Sequence, residues 1–313
     1  MRFSLRILLA TAIVMSCLRP LRAQDLSPRA YVITPVGLNA VNLTYSFFDG
    51  AIILGNAVPI VGASGRVNVQ VFSYYRALNF FGRSSSVVFA VPYGVGHFEG
   101  TAAGAEAHAY RSGLLDSTFR FSVNLKGGPA MDLRDFVKWK QKTLIGVSFK
   151  FTAPMSQYDP TKLINLGTNR WSFEPEIGLS KRRGHVVLDT YAGVWFFTEN
   201  PEFFSHNQYH PGVIEQSKNP VGSFEGHLSY DVKPRLWASL DGNFWFGGST
   251  TLNGVASPQT SERNSRVGGT VSIPLTKRQS IKFSYSNGAY IRYGGNFQNV
   301  SAGWQYSWDG KLR

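Results

Sequence analysis

Cysteine is nearly absent from this sequence. Cys17 is the only one in 313 residues, which excludes a disulfide framework and any metal site built on several thiolates. The six histidines, His97, His108, His185, His206, His210 and His227, show no H-E-x-x-H spacing and so give no pattern for a catalytic zinc. Gly-rich phosphate loops are missing too: "GVGHFEG" at 94–100 follows a strand-like stretch but leads into polar loop sequence rather than a helix. Beyond the N-terminal region no run of about 18 apolar residues occurs, which excludes a transmembrane helix on length and leaves membrane strands open. Charged residues make up only 16%, too few for long solvated helices rich in Glu and Lys. The basic ones gather in short stretches such as Lys181, Arg182 and Arg183 rather than on one surface interleaved with aromatics, so nucleic-acid binding has no support. No cofactor is implied.

What is present points elsewhere. Aromatic residues reach 14% and glycines number 32, a composition that suits β-structure with many turns. At the start, Arg2 and Arg6 precede the apolar run Ile7 to Cys17, and the small residue Ala23 follows, the layout of a secretory signal peptide over residues 1–23. A lipoprotein signal acylated on Cys17 is the alternative. Removal of residues 1–23 takes away the only cysteine and lowers the formal charge from +13 to +9. In an exported protein that balance points to anionic lipid or lipopolysaccharide as a neighbour.

The dominant signal is alternation. In "LDSTFRFSVNL" (115–125), Leu115, Ser117, Phe119, Phe121, Val123 and Leu125 fall on one side and Asp116, Thr118, Arg120, Ser122 and Asn124 on the other. The same period of two recurs around Val41–Phe47, Val67–Val71, Val87–Tyr93, Ile145–Phe151, Trp171–Leu179 and Val186–Phe196. It continues around Phe224–Val232, Leu236–Phe246, Val267–Leu275, Ile281–Tyr285 and Val300–Trp308. That makes about twelve segments, each close to the roughly 9 to 11 residues a tilted membrane strand needs. Short polar turns (Gly82–Ser84, Lys181–Gly184, Lys233–Arg235, Thr276–Gln279) and a link at Lys126–Gln141 alternate with long connections. The long ones are Asp49–Gly65, Gly94–Ala109, Pro154–Asn169, Glu199–Asn219, Gly247–Asn264 and Asn287–Asn296.

A closed barrel in a bilayer shows lipid one face of every strand and a wet lumen the other, and closure satisfies every backbone group without water. A soluble barrel, apolar within, produces the same alternation. Aromatic pairs at strand ends (Tyr45 with Phe47, Trp195 with Phe197, Trp245 with Phe246, Tyr306 with Trp308) suit interfacial girdles and favour the membrane reading. The expectation is an all-β, antiparallel up-and-down transmembrane β-barrel over 41–308, with a short tail at 309–313. Residues 24–40, with Pro28, Pro35 and Gly37, read as a periplasmic lead, or else fold back as a partial plug.

Three stretches carry a family resemblance: "TAPMSQYDPTKLINLGTNRWSFEPEIGLS" (152–180), "LSYDVKPRLWASLDGNFWFGG" (228–248) and "RVGGTVSIPLTKRQSIKFSYSNGA" (266–289). They resemble the outer-membrane transporter family named for the meta-pathway of phenol degradation, across nearly the whole chain after the signal. The resemblance implies a bacterial outer-membrane barrel that moves small aromatic or other hydrophobic compounds. Ser301, Gly303, Tyr306 and Trp308 resemble the C-terminal signal read by the barrel-assembly machinery, though residues 309–313 extend beyond it.

The polar faces nominate residues for the lumen: Asp116, Arg120, Lys150, Glu174, Glu176, Asp189, Glu225, His227, Asp241, Arg266 and Lys282. Mixed charges in a narrow pore either close it as a salt-bridge network or set its selectivity. In the connection 156–170, Tyr158, Asp159, Asn165, Asn169 and Arg170 form a second group, read as turn chemistry, as ligand contacts or as a constriction. His227 and Ser229 share a strand face, but positions two apart lie roughly 7 Å apart, long for a base and its nucleophile. The sequence therefore reads as a non-enzymatic outer-membrane channel with both termini periplasmic. A closed structural or binding barrel and a lipid-modifying enzyme are the alternatives.

Overall fold

The architecture comes from a computed structural model, which describes residues 27–53, 60–102, 104–207 and 211–310. The signal-peptide reading therefore lies outside the described residues. In chain order the elements are β1 (Leu38–Ile53), β2 (Ile60–Phe80), β3 (Arg83–Ala102), β4 (Ala105–Leu114), β5 (Ser117–Lys126), α1 (Leu133–Lys138), β6 (Thr143–Ala153), β7 (Ser172–Arg183) and β8 (Val186–Phe197). They continue with β9 (Gln216–Lys218), β10 (Val221–Lys233), β11 (Leu236–Gly247), β12 (Thr250–Leu252), β13 (Val255–Ser257), β14 (Glu262–Pro274), β15 (Gln279–Ile291) and β16 (Gly294–Asp309).

One antiparallel sheet closes on itself. The last long strand pairs with the first, from Leu38↔Asp309 to Ile53↔Gly294, and β2 pairs with both β1 and β3. β4 and β5 occupy one place in the wall: β4 pairs with the second half of β3 from Tyr93↔Leu114, and β5 with its first half from Ser85↔Val123. The result is a twelve-stranded barrel. β9, β12 and β13 form a small separate sheet in the connections at one end. We call that end the loop end and the opposite one, where short turns join the strands, the turn end.

The faces are inverted relative to a soluble protein. Leu240 is 71% exposed, Leu43 52% and Phe283 49%, whereas Asp189 and Arg266 are 0% exposed and His227 1%. Apolar rows cover the outside and charged groups fill the inside, the distribution a bilayer imposes and the reverse of a soluble barrel.

Several sequence expectations change. Alternation alone makes Val67, Val69 and Val71 the apolar face of their strand and so the one expected to meet lipid, but β2 turns them inward. Cross-strand partners point to the same side of a sheet, and Leu43, on the outside, faces Phe72. Phe72 therefore points outward and the valines one residue out of step point in. The connections Gly94–Ala109 and Asn287–Asn296 are mostly strand, as β3–β4 and β15–β16 continue past the level where loops were expected. The link after β5 contains α1, whose first turn is capped by Asp132 Oδ1 accepting from the Asp135 amide at 2.9 Å.

Candidate functional site

Midway along the barrel the inward rows of neighbouring strands meet as an ionic belt. Arg120 on β5 faces Lys150 on β6, which faces Glu174 on β7. Lys150 Nζ lies 2.8 Å from Glu174 Oε2, and Arg120 Nη2 lies 2.9 Å from Glu176 Oε1. Ser148 donates to Glu176 and Ser223 to Glu174, each at 3.1 Å, so the carboxylates bridge β6, β7 and β10. Further along the same side of the wall His227 is held on both nitrogens, Nδ1 at 2.9 Å from Asp241 Oδ1 and Nε2 at 3.3 Å from Glu225 Oε2. Thr270 donates to Asp241 at 2.7 Å, and Asn243 donates to Glu225 at 3.3 Å. Asp189 sits directly across from His227 on β8. Arg266 donates to Ser286 Oγ at 2.9 Å and to the Phe297 carbonyl at 2.8 Å. Lys282 stands nearer the turn end, 5.8 Å from the Trp237 ring. Most of these buried charges are paired with a group of opposite sign or a hydrogen-bond donor on a nearby strand, which offsets the cost of burying them.

Below the belt the segment 27–36 runs inside the wall. Tyr31 is 2% exposed. Its ring lies on bare backbone at Gly146 and Gly178, a cross-strand pair whose added Cβ atoms would come within 2.4 and 2.1 Å of it. Glycine is therefore required at both positions by close approach, not by turn geometry. The Tyr31 hydroxyl donates to Glu176 at 2.8 Å, its ring lies 5.2 Å from that of Tyr191, and the Arg120 guanidinium sits 5.0 Å over it. The Ala30 amide donates to the Tyr191 hydroxyl at 3.0 Å. Arg29 pairs with Asp231 at 2.6 Å and lies 4.4 Å over Trp237, while Arg182 binds the other oxygen of Asp231. The segment thus docks on β6, β7, β8, β10 and β11 at once.

Above the belt the inward surface becomes apolar. Trp195, Val221, Trp245 and Ile291 are buried together with Phe197 and Ile53 against them. Phe48, Val67, Val69, Phe297 and Leu166 form a second cluster joined by Phe98 and Leu115. Trp195 and Trp245 were expected in an outer aromatic girdle. They face the lumen instead, because period two places Trp195 in the row of Asp189 and Tyr191, and Trp245 in the row of Asp241 and Asn243. Lys150 Nζ, 4.9 Å over the Trp195 ring, marks where belt and apolar collar meet. Leu115 also points in, because the break between β4 and β5 resets the alternation that "LDSTFRFSVNL" suggested.

The connection 154–171 folds down into this collar. Asp116 is its anchor, accepting from the Thr168 amide at 2.9 Å, the Thr168 hydroxyl at 2.8 Å and the Ser156 amide at 3.2 Å. Asp159 and Asn165 serve the loop itself: Asn165 accepts from the Asp159 amide and donates to the Asp159 and Lys162 carbonyls, all at 2.9 Å. Hydrogen bonds from Thr161 hold the Asp159 carboxyl below the usual carboxylate range. Asn169, at φ 52°, donates to Asn200, which donates in turn to the Tyr158 hydroxyl at 3.0 Å. Arg170, 6% exposed, binds Gln216 in β9. These residues fasten the loop over the lumen and are not gathered around an open cleft.

The nominated residues therefore divide. Arg120, Lys150, Glu174, Glu176, Asp189, Glu225, His227, Asp241 and Arg266 come together in the belt, while Asp116 and the residues of 158–170 hold the loop-end connection in place. Sequence reasoning missed Arg29, Tyr31, Tyr191 and the two inward tryptophans. Glycines on polar faces at Gly146 and Gly178 were the one available signal for Tyr31. His227 is committed to carboxylates on both nitrogens, and Ser229 Oγ has no hydrogen-bond partner among the described residues, so the two do not form a catalytic pair.

Among solved structures, the COG4313 outer membrane channel from Pseudomonas putida F1 superposes with a TM-score of 0.76 at 15% identity, covering 91% of this chain and 100% of its own. The β domain of the Bordetella autotransporter BrkA gives a TM-score of 0.51 at 10% identity, covering 87% and 100%. The translocator domain of the autotransporter NalP from Neisseria meningitidis also gives 0.51, at 8% identity, covering 87% and 89%. At these identities the likeness is one of fold, an outer-membrane barrel. No curated protein matches the sequence. A family model described as "Putative MetA-pathway of phenol degradation" does match, over residues 52–309, and the chain belongs to that family.

Proposed function

We propose that the protein is an outer-membrane channel for passive uptake of small aromatic or hydrophobic solutes. The observation that carries this reading is the apolar collar inside the loop-end half of the lumen, built on Trp195, Trp245, Phe48 and Phe297. A small aromatic solute is favoured there by area burial and ring contacts. Family membership and fold both support a channel rather than an enzyme.

In this reading the long connections face the cell exterior and lipopolysaccharide, and the short turns face the periplasm, as is usual for such barrels. β1 begins and β16 ends at the turn end, which supports periplasmic termini. Segment 27–36 then acts as a plug entered from that side, held by Arg29 and Tyr31, and solute passes when it shifts. Gly303, Tyr306 and Trp308 would serve recognition by the barrel-assembly machinery; Trp304, Tyr306 and Trp308 stack along β16 at 6.3 and 5.8 Å.

The same segment favours a second reading, a permanently closed barrel that works through its outer loops. Flux into liposomes separates the two. Refolded protein should admit a small phenolic compound faster than a sugar of similar size, relative to protein-free vesicles. Equal flux would make it a general pore, and no flux in folded barrels, with or without residues 27–36, would sink the channel reading.

A further inference from the structure

The two rims of the barrel differ in charge. At the turn end Lys181 and Arg183 stand exposed at the end of β7, Lys233 at the end of β10 with Arg235 in the turn after it, and Lys277 and Arg278 between β14 and β15. Next to the β7–β8 hairpin in the wall, the link carrying α1 between β5 and β6 adds exposed Arg134, Lys138, Lys140 and Lys142. Against these the exposed acids of that rim, among the described residues, are Asp132, Asp135 and Asp309. At the loop end the exposed cations Arg66, Lys162, Arg263 and Arg292 are balanced by Glu99, Glu106, Glu199, Glu202 and Glu215.

The cations of the turn end also occupy a particular position. Three hairpins repeat one arrangement: an exposed apolar residue on the outer face, then a lysine one or two residues on. The pairs are Leu179 with Lys181, Val232 with Lys233 and Leu275 with Lys277, the apolar members being 39, 54 and 50% exposed. Lys181 and Arg183 continue the outward row of Ile177 and Leu179, so they leave the strand on the bilayer side of the wall, not over the lumen. Phe81, 91% exposed in the β2–β3 turn, and Leu133 with Val137 on one face of α1 extend the same rim. Apolar side chains at the edge of the hydrocarbon with lysines just beyond them are placed to span from acyl chains to headgroups.

We infer that the turn-end rim is a seat for anionic glycerophospholipid headgroups in the plane of one leaflet. Cations spread over four consecutive connections of the wall, rather than gathered in one patch, select a membrane surface over a soluble acidic partner or a nucleic acid, because a leaflet meets all four at the same height. The inference rests on the reading of this chain as an outer-membrane barrel, and it fixes orientation independently of the solute: the turn end belongs to the phospholipid leaflet.

The test uses folded protein in neutral detergent, with native mass spectrometry of bound phosphatidylglycerol, phosphatidylcholine and lipid A. Retention of phosphatidylglycerol should exceed that of phosphatidylcholine and fall with salt. Replacing Lys181, Lys233 and Lys277 together by Gln should lower that preference about tenfold or more, while Arg66, Lys162 and Arg263 replaced by Gln should leave it unchanged. Equal retention of the two phospholipids, equal loss in both variants, or lipid A held through the turn lysines would overturn the inference. Barrel formation is followed separately by heat-modifiable electrophoretic mobility, so a lost lipid preference in a folded barrel leaves the channel reading standing.

Discussion

The outside of this barrel is uniform from strand to strand, whereas the inside is banded: an apolar collar at the loop end, an ionic belt midway, and a docked segment toward the turn end. The contrast arises because the two surfaces answer to different solvents. Lipid asks the same of every outward residue, so Leu43, Leu240 and Phe283 are interchangeable in kind. The lumen asks different things at different depths, and Trp195, Asp189 and Gly178 share inward faces with nothing else in common. A period of two therefore tells which residues point in, and leaves open what they build there.

The comparison breaks most sharply if the docked segment is removed. Deleting residues 27–36 takes Tyr31 and Arg29 from the lumen and leaves every barrel strand in place, so single-channel conductance in planar bilayers should rise several-fold. Gly178→Val should move conductance the same way, since its side chain would fall on the Tyr31 ring. An unchanged conductance in both would mean the segment does not govern passage.

Next in size is the belt. Asp241→Asn removes one charge from a buried pair in which both side chains are 0% exposed, a change that typically costs about 3 to 5 kcal/mol. Urea unfolding of the barrel in vesicles should show that loss, and a midpoint equal to wild type would mean the pair is not structural. In the collar, Trp245→Ala should lower phenolic over sugar flux by about two- to tenfold, the range expected from losing one aromatic contact. The smallest effect belongs to the exterior. Arg66 and Asp49 pair at 3.3 Å with side chains 69 and 37% exposed, and Arg66→Gln should shift stability by less than about 1 kcal/mol.

The strands were legible because burial on one side and lipid on the other write the same alternation into each of them. The exceptions are instructive. Val67, Val69 and Val71 are apolar on the inner face, and only the pairing of Leu43 with Phe72 fixes their direction, a fact of register that no single strand contains. The pairing of Arg120 with Glu176 joins residues 56 apart in sequence on strands that are not neighbours in the wall. Composition nominated both but could not join them. Segment 27–36 carried no periodicity at all, because a chain that threads a lumen touches wall on several sides. The turn chemistry of Asp159 and Asn165 was readable from residue type, whereas the descent of Leu166 and Thr168 to Asp116 depends on a contact between distant parts of the chain.

The seam between β1 and β16 has a consequence for how the molecule is made. Its register runs unbroken from Leu38↔Asp309 to Ile53↔Gly294, and the Gly310 amide donates to the Gly37 carbonyl at 2.9 Å beyond it. The first long strand waits for the last, a loop closure spanning nearly the entire polypeptide. Until β16 arrives, every intermediate is a curled sheet with two open edges, each able to pair with the wrong chain. A product ending before Gly294 would thus be a template for aggregation, not a smaller barrel, and its handling falls to whatever chaperones the unfolded polypeptide.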